Sequence, residues 1–261
     1  MKFDELDRKM RIYETAHDHC VLPGLHMVAR LDGRTFTRLT KDKHSFEVPF
    51  DSVFRDYMVE TVRHLMSGAG FRILYGYTQS DEISLWFHPD ENVFKRKLRK
   101  LNSILAGEAS AKFSLLLGDL AAFDCRISQL PALALVEDYF RWRAQDALRN
   151  ALNSHCYWLL RKTGKSVRSA TDALDKLSVA DKNELLFQHG INFNDLPNWQ
   201  KRGSGLYWEQ FEKQGYNPIT NEHVTTTRRR LKIDFDLPMK EAYSAFLRQL
   251  IRGELGGTEG N

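Results

Sequence analysis

The sequence predicts an α+β fold: a ferredoxin-like βαββαβ unit followed by an extension of helices and then strands. Three observations predict it. Over the first 130 residues, short apolar stretches and helix-period stretches follow one another as strand, helix, strand, strand, helix, strand. Only a few polar residues separate the second and third strands, as in a hairpin. Beyond residue 130 the texture changes to long helical stretches and then to a β-branched, basic run. The chain has 261 residues, 42% of them hydrophobic and 11% aromatic, enough for a sizeable core. A charged fraction of 28% excludes a disordered chain.

The elements follow in order. Residues 3–19 read as an exposed helix with Phe3, Leu6, Met10 and Tyr13 on one stripe. Val28 to Asp32 is a short strand, followed by a polar loop from Gly33 to Glu47 that holds Lys41, Lys43 and His44. Phe50, Val53, Phe54, Tyr57, Met58, Thr61 and Leu65 recur at helical spacing, and Gly68-Ala69-Gly70 ends that helix. Phe71–Tyr77 and Ile83–Phe87 are the hairpin strands. A helix from Asn92 to about Leu117 and a strand from Phe123 to Ile127 complete the unit. Leu133 to Lys162 is a long helix stopped by Gly164, and Thr171–Gln188 holds one or two more. Strands run from Gly205 to Asp236 around a turn at Tyr216-Asn217-Pro218, and a last helix spans Met239–Ile251. The glycine-rich end from Gly253 to Asn261 is expected to be a mobile tail. A boundary near 128–132 divides the chain into residues 1–130 and an α/β extension, 131–261.

The ferredoxin-like order places the first and third strands side by side and antiparallel. Asp32, at the end of the first, then lies beside Asp81, at the start of the third. Alternation puts Arg30 and Asp32 on one face, and Asp81 with Ile83, while Glu82 points the other way. Two carboxylates at one sheet edge could hold Mg²⁺ ions against a triphosphate. Asp32-Gly33 also reads as an ordinary turn dipeptide. Its functional reading is that Gly33 lets the backbone approach a ligand, its carbonyl binds metal, and the N–H groups of residues 33–37 line a phosphate nest.

Other features narrow the classes. Cys20, Cys125 and Cys156 form no C-x-x-C, so neither a zinc site nor a disulfide framework is suggested, and reduced thiols are expected. The histidines show no metal-ligand spacing. Neither G-x-x-x-x-G-K-[ST] nor G-x-G-x-x-G occurs, which argues against P-loop and Rossmann enzymes. The charged N-terminus lacks an apolar core and no run reaches membrane-spanning length, so a cytoplasmic protein without a membrane partner is expected. The net charge of +4 says little about a polyanionic partner; local clusters say more. Lys95 to Lys100 carries five positive charges, and Arg228-Arg229-Arg230 with Lys232 forms a second cluster. Each is either a solvated face or a contact to RNA phosphates. Trp142 and Trp158, at helical spacing, are assigned to the core.

Five segments together resemble the tRNA-His guanylyltransferases and their guanylyltransferase-like relatives. They are Val28-Ala29-Arg30-Leu31-Asp32-Gly33-Arg34-Thr35-Phe36; Tyr75-Gly76-Tyr77-Thr78-Gln79-Ser80-Asp81-Glu82-Ile83-Ser84; Phe123-Asp124-Cys125-Arg126; Asp138-Tyr139-Phe140-Arg141-Trp142-Arg143; and Ala180-Asp181-Lys182-Asn183-Glu184-Leu185-Leu186-Phe187. They lie in the family's order, between residues 25 and 210. The resemblance implies a polymerase-like palm in residues 1–130 and nucleotide addition to the 5′ end of tRNA in the 3′-to-5′ direction. It implies two Mg²⁺ ions on Asp32, the Gly33 carbonyl and Asp81, with ATP and GTP as substrates. Asp32, Gly33, Arg34, Thr35, Phe36, Thr37, Ser80 and Asp81 would hold the nucleotide. Lys43 (or Lys41), Arg126, Asn150 and Lys182 would touch triphosphate or RNA. A homotetramer, a dimer of dimers, is implied as well.

Two departures bear on substrate. The family's eukaryotic members carry His-Ile-Asn-Asn-Leu-Tyr-Asn where this chain has Leu148-Arg149-Asn150-Ala151-Leu152-Asn153-Ser154. That motif is tied to tRNA-His recognition, so the resemblance points toward template-dependent 5′-end repair, with fixed G−1 addition to tRNA-His as the alternative. Cys125 stands where the family has glycine. Two other classes share parts of the pattern. A palm-type nucleotide cyclase or dinucleotide synthase would make its product from NTP without RNA. A non-catalytic RNA-binding protein would bind RNA with no Mg²⁺-dependent chemistry.

Overall fold

The computed structural model describes residues 2–217, 222–253 and 256–257. Pro218, in the expected turn, and most of the expected tail lie outside the described residues. The described elements run α1 (Phe3–Thr15), β1 (His26–Gly33), a short α2 (Phe36–Arg38), α3 (Ser52–Ser67), β2 (Ile73–Gln79), β3 (Glu82–Phe87), α4 (Leu98–Leu117) and β4 (Phe123–Leu130). Then come α5 (Leu133–Lys162), α6 (Val167–Leu174), α7 (Val179–Phe187), α8 (Asn198–Arg202), β5 (Ser204–Asn217), β6 (Glu222–Asp234), α9 (Lys240–Arg252) and β7 (Gly256–Gly257).

The strands form one sheet in the order β4-β1-β3-β2-β5-β6, with β7 against β5. Its first four members are the expected ferredoxin-like order. β1 pairs antiparallel with β3, Asp32 opposite Glu82, and with β4, Asp32 opposite Asp124. The strands of the extension join this same sheet: Ser204–Tyr207 of β5 pair with Tyr75–Thr78 of β2.

Alternation along the strands gives the sheet two covered faces. Met27, Ala29 and Leu31 of β1, with Ile83, Leu85 and Phe87 of β3, pack against α3 and α4. Phe36, Phe113 and Phe123 meet there in tilted and edge-to-face contacts. The opposite face carries Val28, Tyr75, Tyr77 and Trp86 and is covered by Val136, Tyr139 and Phe140 of α5 and by Tyr243 and Leu247 of α9. The later turns of α5 bury Ala151, Leu152, Cys156 and Leu160 against α6 and α7.

Several sequence-based expectations are corrected. α1 is exposed, as expected, but stops at Thr15. The loop after Gly33 contains α2 and a wide helical turn, Leu39–Lys43. The helix expected from Asn92 starts at Leu98, because Phe94, Lys95 and Arg96 have left-handed φ of 53°, 53° and 58°. That break divides the basic run. Arg96 is buried and donates to the Leu25 carbonyl, while Lys97 and Arg99 both hold Asp18. Trp142 is 54% exposed, not core: helical spacing carried it one position off the buried stripe of Tyr139, Phe140 and Arg143.

β5 enters beside β2 through Gly203, whose φ of 77° and ψ of −169° are open in practice only to glycine. A Cβ there would lie 2.7 Å from the Thr78 carbonyl oxygen. Gly203→Ala is therefore expected to cost about 2 kcal/mol, read as a lowered denaturation midpoint in urea with an unchanged slope.

Candidate active site

The site grows from the meeting of β1 and β3. Asp32 and Arg30 point from β1 toward α5. Ser80, with a left-handed φ of 53°, turns the chain between β2 and β3. The Thr78 hydroxyl donates to the Glu82 carbonyl (2.9 Å) and closes that turn. The Gly33 N–H donates to the Asp81 carbonyl (3.0 Å), which binds the end of β1 to the turn. Asp32 and Asp81 thus share one sheet edge, as the strand order predicts. Both line a cavity of about 450 Å³.

Glu82 points away from Ile83, as the alternation predicts, but Asp81 does not share the face of Ile83. Asp81 sits in the turn, and Glu82, the first residue of β3, lies opposite Asp32 and faces the same cavity. α5 supplies the facing wall through Arg143, Asp146, Asn150, Ser154 and Trp158. Spacings of three or four residues put these on one face of a helix, a signal present in the sequence. Thr37, Thr40 and Lys41 form another side, and the Lys41 ammonium lies 5.0 Å from the centre of the Trp158 ring.

The charges interlock. Arg30 reaches Asp32 (3.1 Å) and Glu82 (2.9 Å). Arg143 grips Glu82 with two bonds of 2.6 and 2.7 Å and holds Asp146 at 2.9 Å. Arg126, on β4, holds Asp32 at 2.8 Å and Asp124 at 3.2 Å. Burial raises the Asp81 carboxyl above its ordinary value; the nearby Asp32 charge adds to this, while its own backbone N–H, the Ser80 hydroxyl and Arg30 oppose it. Burial also raises Glu82, against the pull of Arg143 and Arg30. Burial disfavours the charged form of Arg30, but Glu82 and Asp32 outweigh it and its pKa is raised.

The remaining expected residues are distributed as follows. The N–H groups of Gly33 and Arg34 are used by Asp81 and by the Ala122 carbonyl (2.8 Å). A backbone nest can begin only at Thr35, which has a left-handed φ of 59° and heads α2. The Phe36 ring is buried in the helix layer, and a Cβ on Gly33 would meet it at 2.5 Å. Glycine at 33 thus lets the chain fold tightly over that ring. Asn150 faces the cavity and donates to Asp146 (3.2 Å). Lys43 is drawn to Asp119, and Lys41 takes the place at the cavity. Lys182 lies on α7 outside the cavity lining, and its carbonyl accepts from the Cys156 thiol. Cys125 packs against the α3–α4 layer, where burial raises its thiol to about 12. It faces away from Asp124 and Arg126 of its strand.

Among the described residues no cluster of three or more His, Cys, Asp and Glu forms a metal cage. Paired carboxylates are a different donor set. Mg²⁺ takes all-oxygen ligands and is commonly held by one or two carboxylates, with substrate phosphates and water completing its shell. Asp32 and Asp81 fit that requirement.

A palm sheet with paired acids at the β1–β3 edge, facing a cavity ringed by arginine and lysine, defines a palm-type nucleotidyltransferase. The chain belongs to the tRNAHis guanylyltransferase family. Residues 7–131 match the tRNAHis guanylyltransferase model and residues 134–239 the Thg1 C terminal domain. The chain is 30% identical over 220 residues to a probable tRNA(His) guanylyltransferase of Mus musculus, covering 80% of this chain and 72% of that protein. It is 34% identical over 200 residues to one from Drosophila melanogaster, covering 72% and 69%. Among solved structures, it is similar to a bacterial tRNA(His) guanylyltransferase (Thg1)-like protein in complex with GTP, with a TM-score of 0.69, 27% identity and coverage of 95% of this chain and 99% of that one. The Saccharomyces cerevisiae tRNA(His) guanylyltransferase gives a TM-score of 0.69 at 25% identity, covering 75% and 91%.

Proposed function

We propose that this chain is a Mg²⁺-dependent nucleotidyltransferase that adds nucleotides in the 3′-to-5′ direction to the 5′ end of tRNA, repairing truncated ends against a template. The observation that carries the reading is the convergence of Asp32 and Asp81 at one sheet edge over the arginine-lined cavity. Asp32, Asp81 and the Gly33 carbonyl would hold the metal. The chemistry such an ion would supply is a lowered pKa of the attacking hydroxyl and neutralised charge on the triphosphate and leaving group.

The chain's own residues supply position and charge. Arg30, Arg126 and Lys41 place positive charge around the acids, where a triphosphate needs it. The Arg143–Glu82 pair fixes the α5 wall against the sheet. A 5′-monophosphorylated RNA end would be activated when its phosphate oxygen attacks the α-phosphorus of ATP or GTP and releases pyrophosphate, leaving a nucleotide-capped end. The 3′-hydroxyl of an incoming NTP then loses its proton and attacks the RNA 5′ phosphorus, expelling AMP or GMP. A 5′-triphosphorylated end skips the first step and expels pyrophosphate in the second. Phosphoryl transfer depends on positioning and charge neutralisation, so no nucleophilic side chain is required.

One observation favours repair over fixed G addition: the altered segment Leu148–Ser154 contributes Asn150 and Ser154 to the wall facing the acids. Residues 1–130 provide the catalytic palm and residues 131–261 the extension. A homotetramer in the cytoplasm completes the proposal. No helix among the described residues is long and apolar enough to cross a membrane.

The test is incubation with a 5′-truncated tRNA, Mg²⁺ and each labelled NTP, followed by mapping of the added residues. Additions that follow the opposing base establish repair. Guanosine added whatever the opposing base establishes the G−1 activity instead. Cyclic or dimeric nucleotide formed without RNA, or RNA binding with no Mg²⁺-dependent product, overturns both.

A further inference from the structure

We propose that α1 pairs with α1 of a second copy of this chain, in parallel, as a short two-stranded coiled-coil seam. The inference is independent of the catalytic reading. No residue of α1 is buried. Phe3 is 78% exposed, Leu6 43%, Met10 54% and Tyr13 72%. A helix of 13 residues without packing is marginal in water, and this one shows a continuous apolar stripe to solvent. The stripe has a 3-4-3 spacing, which is the a-d-a-d pattern of two heptads. Phe3 and Met10 take a positions, and Leu6 and Tyr13 take d positions.

The flanking charges identify the occupant and its direction. With that register Lys2 and Lys9 fall at g positions, and Asp7 and Glu14 at e positions. In a parallel pair, each g residue faces the e residue five places further along the partner. Lys2 then meets Asp7 of the second copy, and Lys9 meets Glu14; two-fold symmetry makes four such pairs, all attractive. An antiparallel pair sets g against g and e against e, lysine against lysine and acid against acid. The intrahelical Asp7–Arg11 bond (2.7 Å) is solvent-exposed and leaves the second Asp7 oxygen available. Just past the helix, Asp18 is held by Lys97 (2.6 Å) and Arg99, so the seam is tied to the body and its pairing sets how two bodies lie. Four side chains per copy are few beside the ~800 Å² per partner of a free-standing interface. The seam therefore aligns copies that also touch elsewhere.

The test is Leu6→Cys in the full-length chain with Cys20→Ser, since Cys20 is the exposed native thiol and Cys156 is buried. In a parallel seam a d residue faces its own copy, within the Cα separation of about 4.4–6.8 Å that a disulfide spans. Mild oxidation is expected to give a covalent dimer on a non-reducing gel, at least fivefold more than Arg8→Cys on the opposite side of the helix. Adding Lys9→Glu should lower that yield, and adding Glu14→Lys to it should restore it. Equal cross-linking of Leu6→Cys and Arg8→Cys overturns the proposal. So does cross-linking seen only between Leu6→Cys and Met10→Cys chains, the signature of an antiparallel pair.

Discussion

Asp81→Asn is expected to lower nucleotide transfer on the order of a thousandfold while leaving the melting temperature equal to or above that of the parent chain. The two halves of this expectation have one cause. Asp81 is a carboxyl whose burial and Asp32 neighbour raise its pKa in the folded chain. Between the ordinary carboxylate value and that raised one, the folded chain keeps a proton that the unfolded chain has lost. The contribution of Asp81 to stability therefore falls as pH rises through this window, and at neutral pH the group is a net cost. Asparagine keeps the shape, removes the charge and abolishes that loss. Thermal melts from pH 4 to pH 8 should show a shallower decline for the variant, and single-turnover assays give the rate. A variant that unfolds more readily, and loses activity only in proportion to the unfolded fraction, would reduce Asp81 to a structural residue.

Arg143→Met is expected to cost about 3 kcal/mol of stability. Arg143 is buried and makes two close bonds to Glu82, besides one to Asp146, and burial already pushes the Glu82 carboxylate toward neutrality. Removing the guanidinium leaves that carboxylate largely shielded from water without its main partner. Arg30, 2.9 Å away, relieves part of the loss and places the estimate at the lower end of the range for broken buried pairs. Adding Glu82→Gln to Arg143→Met should recover more than half of the lost stability, because it removes the stranded charge. Urea denaturation of the two single variants and the double variant measures the coupling. Additive losses would mean that the pair is not a unit.

The strand order and the meeting of Asp32 with Asp81 were legible in the sequence because both follow from period-2 and period-3.6 patterns and one topology. The place of Glu82 beside Asp81 was not, because strand alternation sets the two apart, and only the left-handed Ser80, which takes Asp81 out of the strand, lets both face one cavity. The same kind of local reversal at Phe94–Arg96 hid the break in the basic run, and with it the burial of Arg96. Arg143, Asp146 and Asn150 share a helix face that the sequence does display, but which sheet face they meet is a long-range fact. The joining of β5 to the β2 edge is of that kind too. Trp142 shows the limit of periodicity on a thirty-residue helix: a shift of one position separates a core residue from an exposed one.

α5 serves two roles along its length. Its early turns lock into the aromatic layer through Tyr139 and Phe140, and its middle presents Asn150 and Ser154 to the cavity from a backbone those anchors already hold. Exchanges at these two positions therefore leave both the scaffold and the acids in place. Under the proposed function, selection can retune which RNA end is admitted, one side chain at a time, without disturbing the reaction itself. Divergence of recognition under a constant chemistry is the evolutionary freedom such a helix confers.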